Sequence, residues 1–267
     1  MAEFQAYNKS AVAHAFGRAA KTYDQHAAFQ RDVGAKLMQG LPQDLTGWRV
    51  LDLGCGTGYF TYLLAERGAQ VVALDLSPDM LKVCRSRCSQ YEVEYLVADA
   101  EHLPFESSCF DLVFSNLALQ WCHDLAPIVH DAVQYLNPNG RFLFSTLLQG
   151  SLHELDSAWK VVDSNHRHIN NFHSESGIHS AISNLSKVSK AISKASLNVY
   201  AHRCWYPSAL ALMKDLKGIG ATHGAGRARG LTKPSVIQQL EMAYQPFSDL
   251  NGLLPATYQV ALGEVYL

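Results

Sequence analysis

No stretch of eighteen or more apolar residues occurs in the 267-residue chain, and its start lacks a basic segment followed by an apolar core. Those absences remove a membrane-spanning helix and a secretory signal from the readings. The opening "AVAHAFGRAAKTYDQHAAFQ", residues 11 to 30, shares Arg, Lys and Ala with transit peptides. Glu3, Asp24 and the long helical continuation speak against that reading and for a helix. An excess of one charge is missing too: 22 Lys and Arg stand against 24 Asp and Glu, a net charge of -2. Nothing global draws the chain to nucleic acid or to an anionic membrane, so a charged partner must be met by a local patch. Paired cysteines are also absent. The six, at 55, 84, 88, 109, 122 and 204, include no CxxC and no disulfide framework or zinc spacing, which points to a reducing, cytoplasmic setting and to no metal. No internal repeat is present, and the Ser/Lys run at 186 to 196 reads as a solvated helix face.

What is present is an alternation. After a mainly helical start to about residue 40 and a polar break at 42 to 48, strands are expected at 49–53, 70–75, 93–97 and 110–115. Helices are expected between them at about 57–67 and 78–89. A helix at 124–136 leads through "NPNG" to the strand "RFLFSTL". Alternating strands and helices predict a parallel sheet covered on both faces. Beyond residue 150 the pattern loosens into helices at 151–163, within 173–196, at 207–218 and at 234–245. The strand-like stretches there are "LNVYAHRCW" and the closing "LPATYQVALGEVYL".

The strongest chemical signal is "LDLGCGTGYF", a strand, a glycine loop and a helix start. No GK[ST] follows, so it is not a Walker loop. Gly54, Gly56 and Gly58 give G-x-G-x-G, with Tyr59 where the third glycine of a dinucleotide fingerprint would stand. Asp52 is ill placed beside a pyrophosphate and suits a ligand bearing an amine. Asp75 closes the second strand, where a carboxylate accepts ribose hydroxyls. Asp99 closes the third, within reach of an adenine amine. Three acids at three successive strand ends describe a nucleoside with an amino-acid tail, that is, S-adenosylmethionine. Asp79, after Ser77-Pro78, reads as first-turn charge. His102 and His123 read as solvated.

"VLDLGCGTG", "ALDLSPDML", "ADAEHLPF" and "FDLVFSNLALQW" together resemble the class I methyltransferases. That resemblance implies an α/β, Rossmann-like seven-stranded sheet with its last strand antiparallel. It also implies cofactor contacts at Arg18, Tyr23, Asp52, Gly54, Gly56, Gly58, Asp75, Leu76, Met80, Asp99, Ala100, Asn116 and Leu117, with S-adenosyl-L-homocysteine as product. "NLALQW" stands where base-methylating enzymes carry [DNS]-P-P-[YFW], which turns the reading away from nucleic acid. The stretches "AFGRAAKTYDQHA", "NLALQWCHDL", "TLLQGSLHEL", "LKGIGATH" and "LPATYQV" resemble the malonyl-acyl-carrier-protein O-methyltransferase family of biotin synthesis over residues 10 to 265. Asn171 in "HINNF" departs from the family's usual Arg.

The resemblance implies a helical lid at 1–46, a core at 47–206, a helical insertion at 207–252 and a final core strand at 253–267, all one structural domain. It places Tyr23, Gln120 and Trp121 at the methyl transfer, and Lys217, His223 and Arg229 at the malonyl group. Lys214, Arg227 and Lys233 belong to a basic stretch suited to an acidic carrier protein, with malonyl-CoA as the alternative malonyl thioester. Two readings stay open beside it: another small carboxylic acid or a quinone-like ring as acceptor, or a cofactor-binding protein without catalysis.

Overall fold

The computed structural model describes residues 8–188, 192–221 and 233–267. Seven strands form a single sheet in the order β3-β2-β1-β4-β5-β7-β6. The strands are β1 (Arg49–Leu53), β2 (Gln70–Asp75), β3 (Val93–Val97), β4 (Phe110–Asn116), β5 (Leu136–Leu147), β6 (Lys194–Tyr206) and β7 (Leu254–Tyr266). Strands β1 to β5 pair in parallel, whereas β7 runs antiparallel to both β5 and β6. The last strand is therefore antiparallel, as expected. The helices are α1 (Lys9–Ala19), α2 (Tyr23–His26), α3 (Ala28–Met38), α4 (Tyr59–Glu66), α5 (Pro78–Arg87), α6 (Leu125–Gln134), α7 (His153–Val162), α8 (Glu175–Val188), α9 (Ala209–Gly218) and α10 (Pro234–Tyr244).

The central strands are apolar on both faces because helices cover both. On one face Leu51, Leu53, Val72, Leu74, Val113, Phe142 and Phe144 pack against Ile128 and Val129 of α6 and Ile178 and Ile182 of α8. On the other, Val50, Val71, Leu112, Phe114 and Leu143 meet Leu37 and Met38 of α3 and Phe60 and Leu64 of α4. A third cluster joins α7, α9 and α10 to β7 around the fully buried Tyr244, whose hydroxyl donates to the Pro255 carbonyl at 2.5 Å. The chain runs outward from β1 to β3 and then returns to place β4 on the other side of β1. Such a reversal of strand order opens a crevice at the strand C-termini.

Two local expectations need correction. The stretch 11–30 is not one helix. It breaks after Ala19, where the Thr22 hydroxyl folds back to donate to the Ala19 carbonyl at 3.2 Å, and again at Ala27. "NPNG" is not a loop between α6 and a strand. It forms the irregular start of β5, with Asn139 at φ 66° and a register jump from the Phe110–Leu136 pair to the Leu112–Arg141 pair.

Candidate functional site

At the C-terminal ends of β1 and β4 lies a cleft of about 430 Å³, a volume that includes space open to solvent. Gly54, Cys55, Gly56 and Thr57 form its floor. Tyr23, Asp24, Ala27, Gln30 and Arg31 form its roof, and Asp52, Tyr59, Phe60 and Asn116 close its sides. The glycines have a backbone reason. Gly54 and Gly58 sit at φ 77° and 79°, and a Cβ on them would lie 2.3 Å from Ala118 and 2.4 Å from the Cys84 sulfur. Gly56 differs: at φ 55° its missing Cβ would meet nothing within 4 Å, so the loop presents bare backbone there. The Gly54 and Cys55 amides both donate to the Leu74 carbonyl, at 2.8 and 2.9 Å, and tie the loop to the end of β2.

Asp52 is buried, with 2% of its surface exposed, and accepts a 2.6 Å hydrogen bond from the Thr61 hydroxyl. Burial pushes its carboxyl up to about 7, with the Thr61 bond opposing. Asp75 accepts from the Gly56 amide at 2.9 Å and the Ser77 amide at 2.7 Å, yet burial still raises it to about 6. Ser77 caps α5 by accepting from the Met80 amide, with Pro78 in the first turn and Asp79 paired to Lys82. Met80 is buried, and Leu76 is half-buried. Asp99 lies beneath α1, accepting from Lys9 at 3.0 Å, and Ala100 packs against the core. Lys9 also pairs with Glu101. Burial pushes Glu101 up, but hydrogen bonds from Lys9 and His123 outweigh it and hold it at about 2. His123 is thus tethered at 2.9 Å rather than free in solvent.

Tyr23 projects from the short α2 into the roof. Burial, then the carboxylates of Asp75 and Asp24, push its phenol up, opposed by Arg31, so it remains a hydroxyl donor at neutral pH. Asp24 fastens α2 to the loop: it accepts from the Thr57 hydroxyl at 2.7 Å and pairs with Arg87 of α5. Arg31 donates to the Asp24 carbonyl at 2.8 Å. Asn116 lines the cleft, but its carboxamide is engaged at both ends, donating to the Gln30 carbonyl and accepting from Ser145. Leu117 follows at φ 50° and is buried. Gln120 is buried and donates to the Leu117 carbonyl at 2.5 Å. Trp121 stands edge-on to Phe16 of α1, with ring centroids 5.3 Å apart.

The structure brings Tyr23, Asp52, Gly54, Gly56 and Asn116 around one cleft, with Asp75 touching its floor through Gly56. Arg18 is exposed on the last turn of α1 and does not line it. Lys214 and Lys217 are exposed on α9, and Lys233 is exposed ahead of α10. His223, Arg227 and Arg229 lie outside the described residues. Sequence reasoning passed over Gln30, Arg31 and Thr57 in the cleft and Lys9 and Arg87 beside it. The "QR" in α3 and the Thr inside the glycine loop were the only available signals.

The cleft fits a nucleoside carrying an aminoacyl tail. The Gln30 side-chain oxygen (Oε1), on a residue that lines the cleft, is buried without a hydrogen-bond partner and can accept from a polar ligand; the Gln120 Oε1 is likewise buried without a partner, but Gln120 does not line the cleft. The raised Asp52 and Asp75 gain a reason to ionise when a cation or a diol arrives. No group of three or more metal-ligating side chains occurs among the described residues, and none of their helices is long and apolar enough to cross a membrane.

A family model described as "Methyltransferase domain" matches residues 51–144. The malonyl-acyl-carrier-protein O-methyltransferase of Serratia marcescens is 42% identical over 260 residues, covering 97% of this chain and 96% of that one. The biotin biosynthesis bifunctional protein BioHC of Cellvibrio japonicus is 39% identical over 256 residues, which are 96% of this chain and 49% of that longer protein. Among solved structures, geranyl diphosphate C-methyltransferase from Streptomyces coelicolor, in complex with S-adenosyl-L-homocysteine, Mg2+ and geranyl diphosphate, matches with a TM-score of 0.53. That likeness is at 16% identity over 87% of this chain and 77% of the other. With relatives this similar over nearly its whole length, and with the seven-stranded sheet and glycine-loop cleft in place, the chain belongs to the malonyl-acyl-carrier-protein O-methyltransferase family of S-adenosylmethionine-dependent methyltransferases.

Proposed function

We propose that this protein transfers a methyl group from S-adenosyl-L-methionine to the free carboxylate of a malonyl thioester on acyl carrier protein. The products are S-adenosyl-L-homocysteine and the malonyl methyl ester that primes the biotin precursor chain. The observation that carries the reading is 42% identity to such an enzyme over nearly the full length, including the lid and insertion segments outside the common core. The free thiols fit a reducing, cytoplasmic location.

When bound, the cofactor supplies an electrophilic methyl on a sulfonium. Asp52 at the side of the cleft holds the carboxylate suited to its amine, Asp75 the one suited to its ribose, and Asp99 the acceptor at the adenine end. The malonyl carboxylate, with an ordinary pKa near ~4, is already ionised at neutral pH, so no side chain has to remove a proton. The chain must instead bring a desolvated anion into line and keep water away. An anion in a dry cleft requires donors. Tyr23, held as a neutral phenol, is the first of these, and Arg31 beside it supplies positive charge. Phe16 and Trp121 wall the transfer region, and Asp24 holds α2 down on the glycine loop. In this reading residues 1–46 act as the lid and 207–252 as the carrier-facing insertion. Lys214, Lys217 and Lys233 are exposed to an acidic carrier, and Arg227, Arg229 and His223 belong to the same stretch.

The test is methyl transfer from labelled cofactor to purified malonyl carrier protein, with malonyl-CoA, malonate and a quinol run in parallel. The expected product is a base-labile methyl ester on the malonyl group. Label on the quinol alone would replace this reading with ring methylation, and no label on any acceptor despite cofactor binding would leave a non-catalytic binder.

A further inference from the structure

The roof of the cleft carries a positive charge that no carboxylate of the described residues answers. Arg31, in the first turn of α3, is the one cationic side chain among the described residues that line the cleft. Its Nη1 donates to the main-chain carbonyl of Asp24 at 2.8 Å, and its guanidinium lies 5.8 Å from the centre of the Tyr59 ring. These two contacts fix the fork and leave its Nε–Nη2 edge without a partner among the described residues. That edge can take a carboxylate by two parallel hydrogen bonds. The nearby acid is already engaged. The Asp24 carboxylate accepts from the Thr57 hydroxyl at 2.7 Å and pairs with Arg87, so it neutralises Arg87 and not Arg31. A half-buried guanidinium held in place without a counter-ion is the complement of an anion that arrives from outside.

We propose that Arg31 holds the free carboxylate of the acceptor, and that methylation releases the ester by removing the charge that Arg31 grips. This role rests on the methyl-transfer reading and adds to it what selects the acid and what lets the product leave. In the reaction a carboxylate oxygen forms the bond to the methyl carbon, the carbon–sulfur bond breaks with its electron pair left on sulfur, and no proton moves. One anion and one sulfonium become a neutral ester and a neutral thioether. A bidentate clamp uses one lone pair on each carboxylate oxygen and leaves another on each free to attack. Once the ester has formed, only hydrogen bonding to a neutral carbonyl remains, and the guanidinium is again without a counter-ion. Arg31 therefore favours the acid over its ester, and fresh substrate displaces product.

The cofactor's own carboxylate is the rival for this guanidinium, and the cleft is equipped for it elsewhere. The first-turn amides of α4, at Tyr59 and Phe60, have no intrahelical partner, and Gly58 at the cap brings no side-chain oxygen to satisfy them. Both residues line the cleft, and amides at a helix start suit an anion. The ammonium on the same carbon has Asp52 and the buried, unpartnered Oε1 of Gln30. Both charges of the tail are met in this way without Arg31. The guanidinium is left, with Tyr23 on the same roof, for a second anion. Tyr23 offers a neutral donor, which serves acid and ester alike, so the discrimination falls to Arg31.

Calorimetry on the full-length protein saturated with S-adenosyl-L-homocysteine tests this without turnover. Malonyl carrier protein and its malonyl methyl ester are titrated into the parent, Arg31→Gln and Arg31→Lys, and the carrier's own contacts cancel in the acid-to-ester ratio. The parent should bind the acid roughly ten- to a hundredfold more tightly than the ester. Arg31→Gln should lose that preference by weakening the acid alone, with affinity for S-adenosyl-L-homocysteine within about twofold of the parent's. Arg31→Lys keeps the charge and loses the fork, so its preference should fall between the two. In the labelled-methyl assay Arg31→Gln should raise KM for malonyl carrier protein far more than it lowers kcat. Equal binding of acid and ester by the parent, a preference that survives Arg31→Gln, or a loss confined to cofactor affinity overturns the proposal. If Arg31→Gln does not fold, Arg31→Lys decides: a preference as large as the parent's overturns it. A parent that binds S-adenosyl-L-homocysteine but methylates no malonyl thioester overturns the methyl-transfer reading instead.

Discussion

Replacing Asp52 with Asn should make the ligand-free protein more stable and the cofactor site worse. Asp52 is 2% exposed and its carboxyl is raised from 3.8 to about 7 by burial. The folded chain therefore keeps a proton on this group over a pH range in which the unfolded chain has lost it. Stability contributed by the neutral carboxyl is fully present below pH 3.8 and is lost as pH rises to about 7. Three pH units at ~1.4 kcal/mol each set an upper bound of about 4 kcal/mol, and relaxation around the charge leaves about half of that. The carboxamide keeps an acceptor for the Thr61 hydroxyl and does not titrate, so Asp52→Asn should gain about 2 kcal/mol at pH 8 and almost nothing at pH 4. For a chain of this size that is a rise of roughly 5 °C in Tm. Asp75 titrates in both proteins and drops out of the comparison to first order. The same change removes the anion proposed to face the ligand's amine, and a charged hydrogen bond of ~1.5–3 kcal/mol predicts a loss in cofactor affinity of roughly ten- to a hundredfold. Denaturant melts from pH 4 to 8, paired with calorimetric titration of S-adenosyl-L-homocysteine, test both halves. A variant less stable than the parent at pH 8, or a difference that does not change with pH, refutes the account of Asp52.

Two further outcomes follow from the roof of the cleft. Tyr23→Phe keeps the ring against Phe16 and removes only the donor, so turnover of the malonyl thioester should fall roughly tenfold or more; full turnover in the labelled-methyl assay would reduce Tyr23 to packing. Lys9→Met keeps the stem and removes the cation that bridges α1 to Asp99 and Glu101. Limited proteolysis at Arg18 and Lys21 should then speed up severalfold in the cofactor-free protein, and an unchanged rate would show that the bridge does not hold α1 down.

How far the sequence could be read depended on whether a residue's reason was local. The limits of β1 and β2 coincide with the apolar runs because parallel strands that are buried along nearly their whole length read as near-continuous hydrophobic stretches, whereas the half-exposed edge strand β3 shows as a short run of β-branched and aromatic residues. Glycine positions and the strand-end acids were legible for the same reason: the backbone or the ligand demands them where they stand. The break between α1 and α2 was not, because what favours it is the pairing of Asp24 with Thr57 and Arg87, 33 and 63 residues away. Lys9 belongs to that class. A cation at the start of a helix looks like a solvated face until β3 delivers Asp99 from 90 residues downstream. Arg31 and Gln30 are ordinary helix residues by pattern, and only the fold turns them towards the cleft. The early start of β5 was hidden by Asn and Pro, which signal a turn unless a register jump absorbs the extra residues.

The stretch "LKGIG" gains its meaning from the same long-range pairing. Gly218 lets the end of α9 lie against the His26 ring, where a Cβ would stand 2.2 Å away, and Gly220, at φ 78°, lets the following turn approach the backbone of Phe16. Asp215, the only acid among the basic residues of this segment, faces inward to His26 at 2.6 Å. Its neighbours Lys214 and Lys217 remain outside, so the segment turns its negative group to the lid and its positive ones to solvent. The element proposed to meet the carrier is therefore packed directly on α2, the four-residue helix that carries Tyr23 and Asp24. A carrier docking on α9 would press on the same piece of chain that presents the phenol to the substrate, and Asp24 transmits that position to the glycine loop through Thr57. Two glycines and one hydrogen bond thus join α9 to α1 and α2 as a packed unit, although none of these residues lines the cleft.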